Sequence, residues 1–164
     1  MNIKKLKPQH WEAVKYIFEA GIQTGNATLE TTTPSWGNWN KNHLKHSRLI
    51  CEIDERIAGW CALTAVSNRC VYEGVAEVSI YINPAFKGLG IGYVLLEHLI
   101  NESELNGIWT LHAAILEENK ASIRLHEKSG FRKIGVREKI GQLNGIWRNI
   151  LLFGNEVKKL EFKF

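Results

Sequence analysis

Only three cysteines, Cys51, Cys61 and Cys70, occur among the 164 residues, and no two form a C-x-x-C pair. An odd count in strand-like stretches excludes a disulfide framework and a thiolate zinc site, so reduced thiols are expected. His43 and His46 stand three apart with no third ligand near them in sequence, and no metal is expected. Apolar runs of membrane-spanning length are missing, so no membrane partner is expected. The N-terminal MNIKKLKPQHW lacks the apolar centre of a secretory signal, which points to the cytoplasm. Charge is nearly balanced. A net +4 suits an anionic ligand, but the basic residues are dispersed and no aromatic-basic RNA motif accompanies them, so nucleic acid is not an expected partner. Repeats, linkers and low-complexity segments are absent too, and a chain of this length is expected to form one domain over residues 1–164.

Periodicity sorts what is present into the order β α α β β β α β α β β. Asn2 to Lys7 alternates weakly, as an edge strand does, and Pro8 opens a helix whose Val14, Ile17, Phe18 and Gly21 form an apolar stripe. Thr24 to Ser35 breaks the period and reads as a loop, after which Pro34 and Ser35 open a shorter helix to about His46. Strands follow at Arg48–Ile53, Ile57–Val66 and Val75–Ile82. The last runs through a glycine-rich turn into a helix that starts near Leu89 and stops at Asn106 and Gly107. A strand at Trp109–Leu116, a helix from the N-cap Asn119 to Ser129, and strands at Arg132–Lys139 and Trp147–Phe153 complete the set. Asn155 to Phe164 reads as a mobile basic tail. The fold class is α/β in the broad sense, an α+β mixed sheet flanked by helices.

Three segments carry chemistry. In Lys87-Gly88-Leu89-Gly90-Ile91-Gly92 the glycines let backbone N–H groups close on an anion, the following helix adds free amides and its dipole, and Lys87 adds a charge. The spacing fits neither a P-loop nor G-x-G-x-x-G. In the helix after Asn119, the side chains of Asn119, Ser122 and His126 make one polar stripe, which is either a solvated face or part of a site. In the strand before the turn, Ala76, Val78, Ile80 and Ile82 share one face, and Glu77, Ser79 and Tyr81 the other. This puts one carboxylate in mid-sheet, upstream of the phosphate turn. Trp36 and Trp39 belong to the core or wall a pocket beside the preceding loop.

Together the glycine turn and Asn119-x-x-Ser122-x-x-Leu125-His126-x-Lys128-x-Gly130-Phe131 resemble the acetyl-CoA motifs of the GNAT superfamily of N-acetyltransferases. Arg69-x-x-Tyr72-x-x-x-x-Glu77-x-Ser79-x-Tyr81-Ile82, with Arg124-Leu125-His126-Glu127, Thr28–Thr31 and Gly145-x-Trp147, is similar to the phosphinothricin acetyltransferase group, so the likeness spans nearly the whole chain. Lys87 in place of Arg, and Asn149 in place of an acidic residue, are departures.

The resemblance implies the GNAT fold and acetyl-CoA as co-substrate, held by Ile80, Tyr81 and Ile82 along its arm and by Lys87, Gly88, Leu89, Gly90, Ile91, Gly92, Tyr93, Asn119 and Ser122. It places a small amino-acid analogue of the phosphinothricin or methionine sulfoximine type against Arg69, Tyr72, Glu77 and Ser79. An acceptor amine must lose a proton to attack, and Glu77 is the expected general base, directly or through one water. Backbone N–H groups around Ile80 to Ile82 would receive the oxyanion, and His126, where the family mostly has Tyr, would assist the leaving thiolate. A homodimer is implied as well, by the family and by the number of Trp residues. The alternatives are a protein or peptide acetyltransferase and a non-catalytic acyl-CoA sensing domain.

Overall fold

In the computed structural model, which describes residues 1–158, strand β1 (Asn2–Lys5) leads into helix α1 (Trp11–Gln23), whose Val14, Ile17 and Phe18 are buried. A loop then reaches α2 (Trp36–Asn42), N-capped by the Ser35 hydroxyl, which accepts from Asn38 N–H at 3.2 Å. The expected extension of this helix to His46 does not form. Leu44 N–H is taken by Leu63 C=O at 2.8 Å, and the Arg48 guanidinium donates to the carbonyls of Asn40 and His43, so the chain leaves the helix at once.

Strands β2 (Leu49–Ile53) and β3 (Arg56–Ala65) are joined through Asp54 and Glu55, both at positive φ, in the geometry that suits a tight hairpin. Next come β4 (Val75–Ile82), α3 (Ile91–Leu105), β5 (Thr110–Leu116), α4 (Lys120–Lys128), β6 (Arg132–Leu143) and β7 (Ile146–Glu156). Helix α3 begins two residues later than expected because Gly88 and Gly90 are left-handed, with φ of 78° and 77°. The β6–β7 hairpin is longer than expected. Asn155 and Glu156, read from sequence as tail, are strand residues, and Glu156 pairs with Arg132; residues 159–164 of that tail lie outside the described residues.

The seven strands form one sheet in the order β1-β2-β3-β4-β5-β7-β6, a mixed sheet in which β4 and β5 are the parallel pair. That pair is short. Val75, Ala76 and Glu77 face Thr110, Leu111 and His112, whereas the antiparallel pairing of β4 with β3 continues to Ile82. Beyond Glu77, therefore, β4 stays with β3 and parts from β5. One face of the sheet buries Leu95, Leu96 and Leu99 of α3 against Ala76 and Val78; the other buries α1 with Trp39, Trp60 and Tyr81. Among the described residues no helix is long and apolar enough to cross a membrane.

Candidate active site

The gap between β4 and β5 holds a cavity of about 1130 Å³, large for a small-ligand pocket. Its lining runs through the sheet. Phe18, Trp39, Trp60 and the loop from Thr24 to Pro34 close it on one face, and Asn119 to His126 of α4 on the other.

Backbone direction along β4 is fixed by its neighbours. Asn83 N–H donates to Ala58 C=O at 2.9 Å and Val75 C=O accepts from Val66, so odd-numbered residues turn their peptide groups to β3. Gly74 C=O accepts from Trp109 and Thr110 on the opposite side. Alternation then points the N–H groups of Ile80 and Ile82 into the gap and those of Tyr81 away from it. The Tyr81 ring is packed between Phe18 and Trp60, at 4.9 and 5.1 Å, and burial pushes its phenol up to about 12.

Glu77 and Ser79 both line the cavity, with Thr64 directly opposite Glu77 on β3. Half-burial raises the Glu77 carboxyl above the ordinary range, and the charges of His112 and Arg137 act in the other direction. Arg69 and Tyr72, expected beside the acceptor, are not part of the lining. They are exposed on the β3–β4 connection, the Arg69 guanidinium lying over the Tyr72 ring at 5.4 Å. After His112, the arginine whose charge bears on Glu77 is Arg137 of β6, itself exposed and outside the lining.

The glycine turn divides its tasks. A Cβ on Gly88 or Gly90 would meet nothing within 4 Å, so these two are needed for their left-handed backbone and for the open space above it. On Gly92 a Cβ would lie 3.0 Å from Leu125 of α4, so that glycine serves helix packing. Helix α3 starts with no side-chain cap, leaving its first amides free, and Lys87 lines the cavity. An uncapped helix start, two open glycines and a lysine fit a pyrophosphate. Leu89 is exposed, Ile91 is buried in the core, and Tyr93 lies under Lys128 at 4.5 Å; none of the three lines the cavity.

On α4, Asn119 is the N-cap and accepts from Ser122 N–H at 3.2 Å. The expected polar stripe is not a solvated face, for His126 is 2% exposed. Its Nδ1 lies 2.8 Å from Ser122 C=O, its ring meets Phe131 edge-on at 5.0 Å, and its Nε2 is buried without a partner among the described residues. Burial lowers its pKa, so the ring is neutral at neutral pH.

Sequence reasoning missed Arg148 of β7. Its guanidinium donates to Gly25 C=O at 2.8 Å and to Asn26 Oδ1 and Glu118 Oε2 at 2.9 Å each, pinning the loop over the cavity to the β5–α4 turn. The partners at Gly25 and Asn26 lie 123 and 122 positions away, and no local pattern announces them. His43, stacked on Trp39 at 4.1 Å, also lines the cavity.

Residues 11–131 match the acetyltransferase (GNAT) family. YwnH of Bacillus subtilis is 30% identical over 96% of this chain and 99% of its own. The phosphinothricin N-acetyltransferase of Streptomyces viridochromogenes is 28% identical over 84% of this chain and 78% of its own. Among solved structures, the ribosomal-protein-alanine N-acetyltransferase of Brucella melitensis superposes with a TM-score of 0.89 at 25% identity, over 96% of this chain and 100% of that one. A Sinorhizobium meliloti phosphinothricin acetyltransferase in complex with acetyl-CoA gives 0.86 at 24%, over 95% and 88%.

Proposed function

Since the chain belongs to the GNAT family of acetyltransferases, we propose that it carries the acetyl group of acetyl-CoA to the amino group of a small amino-acid analogue of the phosphinothricin or methionine sulfoximine type. The observation that carries this reading is the cavity through the sheet. Lys87, next to the open glycine turn, lines it on the side of α3 and α4, and a half-buried carboxylate, Glu77, lines it on the side of α1 and α2. The likeness to the Streptomyces enzyme supports the acceptor class.

Bound acetyl-CoA would supply an activated thioester. Gly88, Gly90 and Lys87 would hold its pyrophosphate, Asn119 and Ser122 would border it, and the N–H groups of Ile80 and Ile82 would meet oxygens along its arm and at the acyl carbon. Glu77 takes the proton that the acceptor's ammonium must lose, and its raised pKa brings it nearer the working pH. Ser79 and Thr64 flank the attacking nitrogen. Both arginines are exposed and outside the lining, but the charge of Arg137 bears on Glu77 and that of Arg69 does not, so the acceptor's carboxylate would pair with Arg137 in place of Arg69. A second copy of the chain completes the assembly as a homodimer.

The likeness to a ribosomal-protein acetyltransferase favours a peptide acceptor as the second reading. A peptide needs an open groove. Here the loop from Thr24 to Pro34 lies over the cavity and is held by Arg148, which favours a compact acceptor. A thiol-release screen with amino-acid analogues, polyamines and N-terminal peptides decides between them. Highest kcat/KM with phosphinothricin or methionine sulfoximine is expected; preference for a peptide would overturn the assignment.

A further inference from the structure

A carbonyl oxygen can only accept, so the 2.8 Å contact with Ser122 C=O places the proton of the neutral His126 ring on Nδ1. The Ser122 hydroxyl, 3.3 Å from the same nitrogen, adds a second contact there. Nε2 is left as a bare lone pair, fully buried and without a donor among the described residues. Buried acceptors in native proteins have partners, and the cavity that His126 lines is where one would come from.

The sheet register says which part of a ligand reaches it. Phe131 N–H donates to His126 C=O at 3.0 Å, and the next residue, Arg132, lies on the rung Arg132–Gly154–His112–Glu77. The His126 backbone is therefore close to the level of Glu77, and its ring, drawn back one turn to Ser122 C=O, borders the gap just beyond the point where β4 and β5 part. A carrier anchored at Gly88 to Gly90 and running past Ile82 and Ile80 brings its reacting end there.

We propose that His126 meets the sulfur of the carrier as a hydrogen-bond acceptor, so that it recognises the free thiol of CoA and does not protonate the leaving thiolate. The inference deepens the acetyl-CoA reading above and rests on it. In the balanced reaction the C–S bond breaks and a C–N bond forms while the ammonium nitrogen loses two protons, one to Glu77 before attack and one from the tetrahedral intermediate, which passes through solvent to the departing sulfur. Neutral His126 has no Nε2 proton to give, whereas the finished S–H has one to offer. A thioester offers none, so the contact favours bound product over bound acetyl-CoA.

Long-range 1H–15N correlation of the His126 ring in the ligand-free protein at neutral pH is expected to show the Nδ1–H tautomer; an Nε2–H tautomer overturns the proposal. Calorimetric titration of the native protein with CoA and with desulfo-CoA is expected to favour CoA by about three- to five-fold, the worth of one weak net hydrogen bond, and His126→Phe should abolish the preference. Equal affinities in the native protein overturn it, even where His126→Phe weakens both, since the donor is then a pantetheine N–H. Absence of any binding would overturn the acetyl-CoA reading itself, an outcome distinct from equal binding.

Discussion

Glu77 stands on the last rung before β4 loses its neighbour, and the burial that tunes it also burdens the fold. A carboxyl whose pKa is raised on folding contributes stability that is fully present below its unfolded pKa and is lost as pH rises through the folded value. At neutral pH the ionised Glu77 is thus a local cost. Glu77→Gln should keep acetyl-CoA binding, lose about two to four orders of magnitude in kcat and raise the melting temperature slightly. Its pH–rate profile should lack the acidic limb of the native enzyme; an identical limb would assign the base elsewhere. The same scale separates two arginines. Arg137→Ala should raise the acceptor KM by about ten-fold or more, as loss of a charge-assisted contact does, while Arg69→Ala leaves it unchanged. Steady-state kinetics on both variants, with the acetyl-CoA KM as control, reads the difference. Glu77 was legible as the one carboxylate in a strand leading to a phosphate turn. Arg137 was not, because its nearness to Glu77 depends on how the β6–β7 hairpin stands against β5, which no short-range pattern encodes.

At the scale of elements, three glycines in one turn serve two ends. Gly90→Val puts a β-branched side chain at φ of 77° and should raise the KM for acetyl-CoA sharply. Gly92→Val instead drives a side chain into Leu125, and should cost about 1–3 kcal/mol of stability with a near-normal acetyl-CoA constant per folded molecule. Thermal melts beside initial rates distinguish the two. From sequence all three glycines read as phosphate contacts, since the residue that claims Gly92 lies on another helix. Helix α2 gives a similar lesson. Its start was written in Ser35, but its end is set by Leu63 and Arg48, which are distant or downstream. Strand β4 was read from sequence at its observed limits, because alternation and the flanking turns are local signals.

For the whole molecule, the sheet order and the helix layers follow from segments that the sequence marked, whereas the early parting of β4 from β5 is a property of pairing alone. The β6–β7 hairpin leaves Ile134, Val136, Ile140, Ile146 and Trp147 exposed, the last two at 66% and 55%. Exposed apolar side chains along an outer hairpin suit burial by a second copy of the chain. Sedimentation should give a dimer, and Trp147→Asp should shift it to monomer; a native monomer would refute the assembly. The cavity, finally, is lined from both faces of the sheet, by α1 and its loop on one side and by α4 on the other. On the acetyl-CoA reading, donor and acceptor would meet in it from opposite faces and would be present together. Among the described residues no cysteine borders the space, so none offers a thiol on which an acyl group would wait between partners. Double-reciprocal plots for the two substrates should accordingly intersect, the mark of a ternary complex, and neither substrate should be released before the other arrives.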